Sequence, residues 1–208
     1  MVLVFDLDDT LYDEIDFVKS GFKEIAKYLQ IKDAYAYMMH IFEQEGSGQV
    51  FDRLIEDFQL HVPLQKLIEI YRFHRPDINL PKESLNWLQY ARQHKTALIS
   101  DGHYIMQQNK FNALGLDQTL IEYPVFTDLY HTKKPEEKPY RMVMKHFNQE
   151  RIFVYISDNP AKDFIAPIQL GWHTVRYRNP QGIYNNIDNT AAYEISRREE
   201  LIDILEII

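Results

Sequence analysis

From Pro81 to Arg176 helix-like stretches alternate with short apolar runs, and few folds tolerate that rhythm. The helical stretches are 82–93, 104–114, 136–148 and 160–169; the apolar runs are Thr96–Ser100, a segment within 121–127, Ile152–Ser157 and Thr174–Arg176. Such alternation predicts a parallel sheet wrapped by helices. The apolar run at residues 2–6 has no strand-like neighbour nearby in sequence and is expected to join this later sheet. Between them, apolar residues recur at helical spacing, as in Val18, Phe22, Ile25 and Leu29, then Phe51, Leu54, Ile55 and Phe58. That spacing predicts four helices between Asp16 and His74, inserted into the α/β core. The expected domains are therefore 1–14 with 78–208, and a helical insertion over 15–77.

Composition narrows the chemistry. The net charge is −8 and the pI near 5.5, which argues against nucleic acid or an anionic membrane as the main partner, because both require a concentrated positive face. There is no cysteine among the 208 residues, so thiol nucleophiles, zinc thiolates and disulfides are excluded. No uncharged run reaches the length of a membrane span, and a cytoplasmic location is expected.

The first apolar run ends in an acidic cluster, Asp6, Asp8 and Asp9, with Asp13, Glu14 and Asp16 behind it. In an open parallel sheet, ligands bind beyond the carboxyl ends of the strands. Carboxylates at such an end suit Mg²⁺, which takes oxygen ligands and binds through one or two carboxylates plus substrate phosphate. An acidic turn without a ligand is the alternative for an isolated Asp-x-Asp. Later strand ends add further groups: Ser100 with the Asp101-Gly102 turn, whose amides suit a phosphate oxygen; Lys133, Lys134 and Lys138 ahead of a helix; and Asp158 with Asp163.

Taken in order, these residues resemble the haloacid dehalogenase superfamily of Mg²⁺-dependent phosphohydrolases. Asp6-Leu7-Asp8-Asp9-Thr10 resembles its first motif, Ser100 its second, Lys134 with Pro135 and Tyr140 its third, and Asp158 with Asp163 its fourth. The resemblance implies a Rossmann-like core with a helical cap. It implies Asp6 as nucleophile, Asp8 as general acid and base, and Ser100 and Lys134 as phosphoryl-binding groups. Thr10, Asp101 and Gly102 are expected to contact substrate. Mg²⁺ would be held by Asp6, the Asp8 backbone carbonyl and Asp158. The implied substrate is a small phosphorylated metabolite; a non-catalytic phospho-ligand-binding module and a phosphotransferase share the same residues. Lys138-Pro139 also fits the third motif, but Lys134 places Tyr140 better. Ser157 stands where the family usually has Gly. Arg53, Arg72, His74 and Arg75 are the insertion's candidates for contacting substrate.

Overall fold

The computed structural model describes all 208 residues, Met1–Ile208. The chain forms two compact units, Met1–Glu14 with Asn79–Ile208, and Ile15–Ile78.

The first unit is built on a six-stranded, all-parallel sheet: β1 (Val2–Phe5), β2 (Lys95–Ser100), β3 (Tyr123–Phe126), β4 (Phe153–Ser157), β5 (His173–Tyr177) and β6 (Tyr193–Ile195). The spatial order is β3-β2-β1-β4-β5-β6, a Rossmann-like α/β arrangement. β1 lies in the middle, with Val4 opposite Ala97 on one side and Tyr155 on the other. Its four residues are fully buried, as a parallel strand covered on both faces requires.

Alternate residues face opposite layers. Val2 and Val4 join Ile99, Val125, Tyr155 and Phe164 in a cluster completed by Tyr140, Val143 and Phe147, at and just beyond α7 (Lys138–His146). On the other face Phe5 stacks on Trp87 of α5 (Lys82–Ala91) at 6.4 Å. That indole donates to the Arg198 carbonyl just before α9 (Leu201–Leu205), which packs on α5.

Two expectations need correction. The helix expected over 160–169 forms only as α8 (Ile165–Gln169). Asn159 accepts the Ala161 amide on its side chain, and Thr190 donates to the Pro160 carbonyl, so the segment starts as a turn. The short edge strand β6 falls beyond the apolar runs that the alternation marks.

The second unit consists of α1 from Ile15 onward (the helix spans Glu14–Leu29), α2 (Ala34–Glu45), α3 (Val50–Asp57) and α4 (Leu64–Phe73). Its core is Phe22, Ile25, Met38, Leu54 and Leu67, with Tyr71 and Phe51 packed against it. α1 and α4 meet closely at Gly21, where an added Cβ would lie 2.5 Å from the Tyr71 ring. His74 is buried and lies 2.7 Å from the Tyr71 carbonyl and 3.0 Å from the Ser20 hydroxyl, which in turn accepts the Asp77 amide at 2.8 Å. Of the polar candidates in this unit, His74 is thus engaged in internal hydrogen bonds. Arg53 lies 3.6 Å from Glu45, and Arg72 and Arg75 are exposed.

Candidate active site

β1 and β4 are the adjacent strands at which the chain's order across the sheet reverses, and their carboxyl ends deliver Asp6 and Asp158 side by side. A polar cavity of about 130 Å³ opens there, lined by Asp6, Asp8, Ser100, Asp101, Lys134 and Asp158, with Glu14, Lys162 and Asp163 at its walls. It is well below the roughly 300 Å³ at which pockets for drug-sized ligands begin, so it suits a small polar group.

The acidic run after β1 divides its labour. The Asp6 amide donates to the Ile156 carbonyl, continuing the β1–β4 ladder for one residue. Its carboxylate accepts from Lys134 Nζ at 2.7 Å. Asp9 has a positive φ of 54° and caps the start of α1 by accepting the Glu14 amide at 2.9 Å. Asp13 accepts from Arg198 at 2.9 Å and Asn179 at 3.0 Å. Asp8 is held by partners of its own: its Oδ1 accepts from Tyr12 at 2.6 Å and Lys110 at 2.8 Å, and its Oδ2 from Gln107 at 2.7 Å.

The carboxylates that converge are therefore Asp6, Asp158 and Asp163, whose oxygens lie within 4.8 Å of one another. The Asp8 side chain is outside this cluster, because its own three donors hold it. Burial pushes the Asp6 carboxyl up to about 7, with Lys134 opposing and Asp163 adding to the rise. Burial also raises Asp158 to about 9, assisted by the charges of Asp6, Asp9 and Asp163. Such carboxyls are short of positive charge. Asp163 Oδ1 is buried with no partner, while its Oδ2 accepts from Lys134 at 2.6 Å and Ser157 at 2.5 Å. An all-oxygen, electron-rich donor set of this kind fits Mg²⁺.

Asp8 behaves in the opposite way. Burial alone would raise its carboxyl, but the charge and hydrogen bond of Lys110, with the hydrogen bonds of Tyr12 and Gln107, hold it below the usual range. Lys134 is likewise kept charged: burial works against its ammonium, and Asp163 and Asp6 outweigh that effect. Its three N–H donors reach Asp6, Asp163 and the Tyr155 hydroxyl. Lys138 is exposed and donates to the Tyr130 carbonyl at 2.6 Å. Lys134 is therefore the lysine beside Asp6. Tyr140 supports the cluster from below by donating to the Asp163 carbonyl at 3.0 Å.

Of the expected phosphate-side groups, Ser100 and Asp101 line the cavity, whereas Thr10 and Gly102 do not. Thr10 is fully buried, and Gly102 uses a positive φ of 108° to turn the chain toward α6 (Tyr104–Ala113). Asp101 is a brace: its carboxylate accepts from Thr127 at 2.8 Å, the Lys134 amide at 3.1 Å and Lys162 at 2.7 Å. It thereby fixes the loop that carries Lys134. Sequence reasoning did not single out Gln107, Lys110 or Lys162, nor a role for Ser157 in anchoring Asp163.

Residues 3–176 match the family model of haloacid dehalogenase-like hydrolases. Curated relatives include glyceraldehyde 3-phosphate phosphatases from Methanocaldococcus jannaschii and Pyrococcus furiosus. They are 26% and 24% identical to this chain, over 98% and 99% of it and 96% and 92% of their own lengths. Among solved structures, the putative hydrolase YfnB from Bacillus subtilis, determined with magnesium bound, superposes with a TM-score of 0.73. It is 18% identical, with 98% of this chain and 97% of that one covered. That likeness concerns the fold, but the family match covers most of the sequence and includes every strand-end residue from Asp6 to Asp163: the chain belongs to the haloacid dehalogenase-like hydrolases.

Proposed function

We propose that the protein is a Mg²⁺-dependent phosphohydrolase that cleaves a small phosphate monoester through an aspartyl-phosphate on Asp6, with Asp8 as general acid and base. One observation carries the reading: the Asp6 carboxylate lies at the mouth of its strand, 2.7 Å from a buried lysine and within 4.8 Å of Asp158. Asp6 Oδ attacks phosphorus, and the bond from phosphorus to the ester oxygen breaks. The leaving oxygen takes a proton from Asp8. Water then attacks the phosphoryl group and gives a proton to Asp8, and the bond to Asp6 breaks, releasing phosphate. The carboxylate held by Lys110 is the form that accepts this proton; having taken it, Asp8 is the acid of the next turnover.

Asp6, Asp158 and the Asp8 carbonyl would hold Mg²⁺, which when bound offsets the repulsion between Asp6 and a phosphate dianion. Lys134 and Ser100 would bind the equatorial phosphoryl oxygens, where preorganised donors count most. The names of the curated relatives make glyceraldehyde 3-phosphate the first substrate to try.

Purified protein with Mg²⁺ is expected to release phosphate from 4-nitrophenyl phosphate and glyceraldehyde 3-phosphate; EDTA or Asp6→Asn should abolish release. Turnover that survives both treatments, or none on a broad panel of phosphate esters, would reject the proposal.

A further inference from the structure

One buried cation enters the chemistry above only through Asp8. Lys110 sits near the end of α6 with none of its surface exposed, and its Nζ lies 2.8 Å from Asp8 Oδ1 and 3.5 Å from Glu14 Oε1. Gln107, three residues earlier and so on the same helix face, puts its amide nitrogen 2.7 Å from Asp8 Oδ2 and 2.7 Å from Ser100 Oγ. Each oxygen of Asp8 therefore meets a donor from a different turn of one helix. A carboxylate gripped on both oxygens cannot rotate about its terminal torsion.

Stability does not explain the arrangement. Burying an ammonium is unfavourable unless it is well paired, and replacing a buried ion pair with apolar side chains of similar volume is often neutral or stabilising. α6 nonetheless presents an amide and an ammonium where a helix face against a core usually carries apolar residues. We infer that Lys110, with Gln107, is a positioning residue for Asp8. It aims the carboxylate for proton transfer and takes no part in binding phosphate or in attack by Asp6. The inference rests on the phosphohydrolase reading, and within it assigns a residue on which proton transfer depends.

Proton donation matters when the leaving group is a poor one and hardly at all when it is acidic, so leaving-group dependence separates positioning from general damage. Lys110→Met is expected to lower kcat/KM for glyceraldehyde 3-phosphate, whose leaving group is an alkoxide, by about 10- to 100-fold, the scale on which a misplaced catalytic group loses rate. For 4-nitrophenyl phosphate kcat/KM should stay within about threefold. Inhibition by inorganic phosphate and the Mg²⁺ dissociation constant measured by calorimetry should change by less than about threefold, since neither uses the Asp8 side chain. In an Asp8→Asn background, Lys110→Met should add less than about twofold.

Equal losses on both substrates, or additive losses in the double variant, would overturn the inference. If Lys110→Met does not fold, Lys110→Gln decides: it removes the charge while keeping a buried neutral donor, leaves the contact of Gln107 with Ser100 in place, and should show the same substrate-selective loss, and its absence would refute the assignment. A wild-type protein inactive across a broad panel of phosphate esters overturns the phosphohydrolase reading and this inference with it. An active wild type beside variants without selective loss overturns the inference alone.

Discussion

Replacing Lys134 with Met tests whether the paired charges beneath the cavity act as a unit. The lysine is buried between Asp6 at 2.7 Å and Asp163 at 2.6 Å, and both carboxylates are almost wholly enclosed. Removing one partner from such a cluster typically destabilises by about 3–5 kcal/mol, because the charges left behind have no counterpart. Asp6 has one escape, which is to take up a proton. Its carboxyl already stands at about 7 in the wild type, and Lys134 is what keeps it from rising further. Without the lysine the folded-state value rises, so the variant and the wild type both carry Asp6 protonated at pH 5 and part company only above about pH 7. There the variant loses stability relative to wild type by up to about 1.36 kcal/mol per pH unit, about 2 kcal/mol between pH 7 and pH 8.5.

The deficit of Lys134→Met should therefore be about 4 kcal/mol at pH 8.5 and shrink to about 2 kcal/mol at pH 7 in metal-free buffer. For a chain of this length that corresponds to a fall in Tm of about 8–16 °C at pH 8.5 and roughly half that at pH 7. Thermal melts at the two pH values, with EDTA and then with Mg²⁺, read this out, and phosphate release should drop at least 100-fold. A deficit that is the same at both pH values, or smaller than about 1 kcal/mol at pH 8.5, would refute the reasoning.

In wild-type protein, Asp158 is raised to about 9 and Asp6 to about 7. Their contribution to metal-free stability should therefore fall as pH rises, through both groups up to about 7 and through Asp158 alone from there to about 9. Mg²⁺ should consequently raise Tm more at pH 8.5 than at pH 6, which calorimetric scans would show; an equal increment at both would contradict the assignment. Asp158→Asn removes a buried, underpaired charge, so the metal-free variant should melt higher than wild type at pH 8, while the increment given by Mg²⁺ largely disappears; both are read in the same scans. In the helical unit, Gly21→Ala would force a methyl to within 2.5 Å of the Tyr71 ring and should destabilise that unit by about 1–3 kcal/mol, measured by urea unfolding. Unchanged unfolding would show that the Tyr71 ring moves aside freely.

Much of the site was legible because strands in such a sheet stop where their apolar runs stop. Asp6, Ser100 and Asp158 each stand at or just beyond the end of an apolar run, so the run boundaries alone put all three at one edge of the sheet. Lys134 was harder, since two Lys-Pro pairs lie four residues apart; the brace from Asp101 to its amide is a long-range contact that spacing does not reveal. The support for Asp8 was missed because a lysine inside a helix reads as solvated surface. A signal did exist: Gln107, Lys110, Phe111 and Leu114 have the spacing of a buried stripe, and two of the four are polar. β6 has three residues with a glutamate between Tyr193 and Ile195, too short and too polar to stand out. The delayed start of α8 depends on Thr190 reaching Pro160 from 30 residues away.

The central position of β1 also governs how the protein comes into being during synthesis. Val2 pairs with Lys95 and with Phe153, so both flanking strands lie far downstream. At about 5–20 residues per second, the ribosome needs about 5–20 s to reach the first partner and about 8–30 s to reach the second. Throughout that interval a fully apolar strand waits with both edges open, the condition under which nascent chains stick to one another. The helices of residues 15–78 make mostly local contacts and can collapse as they emerge. Nascent chains stalled before residue 95 should therefore carry a folded helical unit behind an unpaired, adhesive strand, and they are the species that chaperones would have to shield.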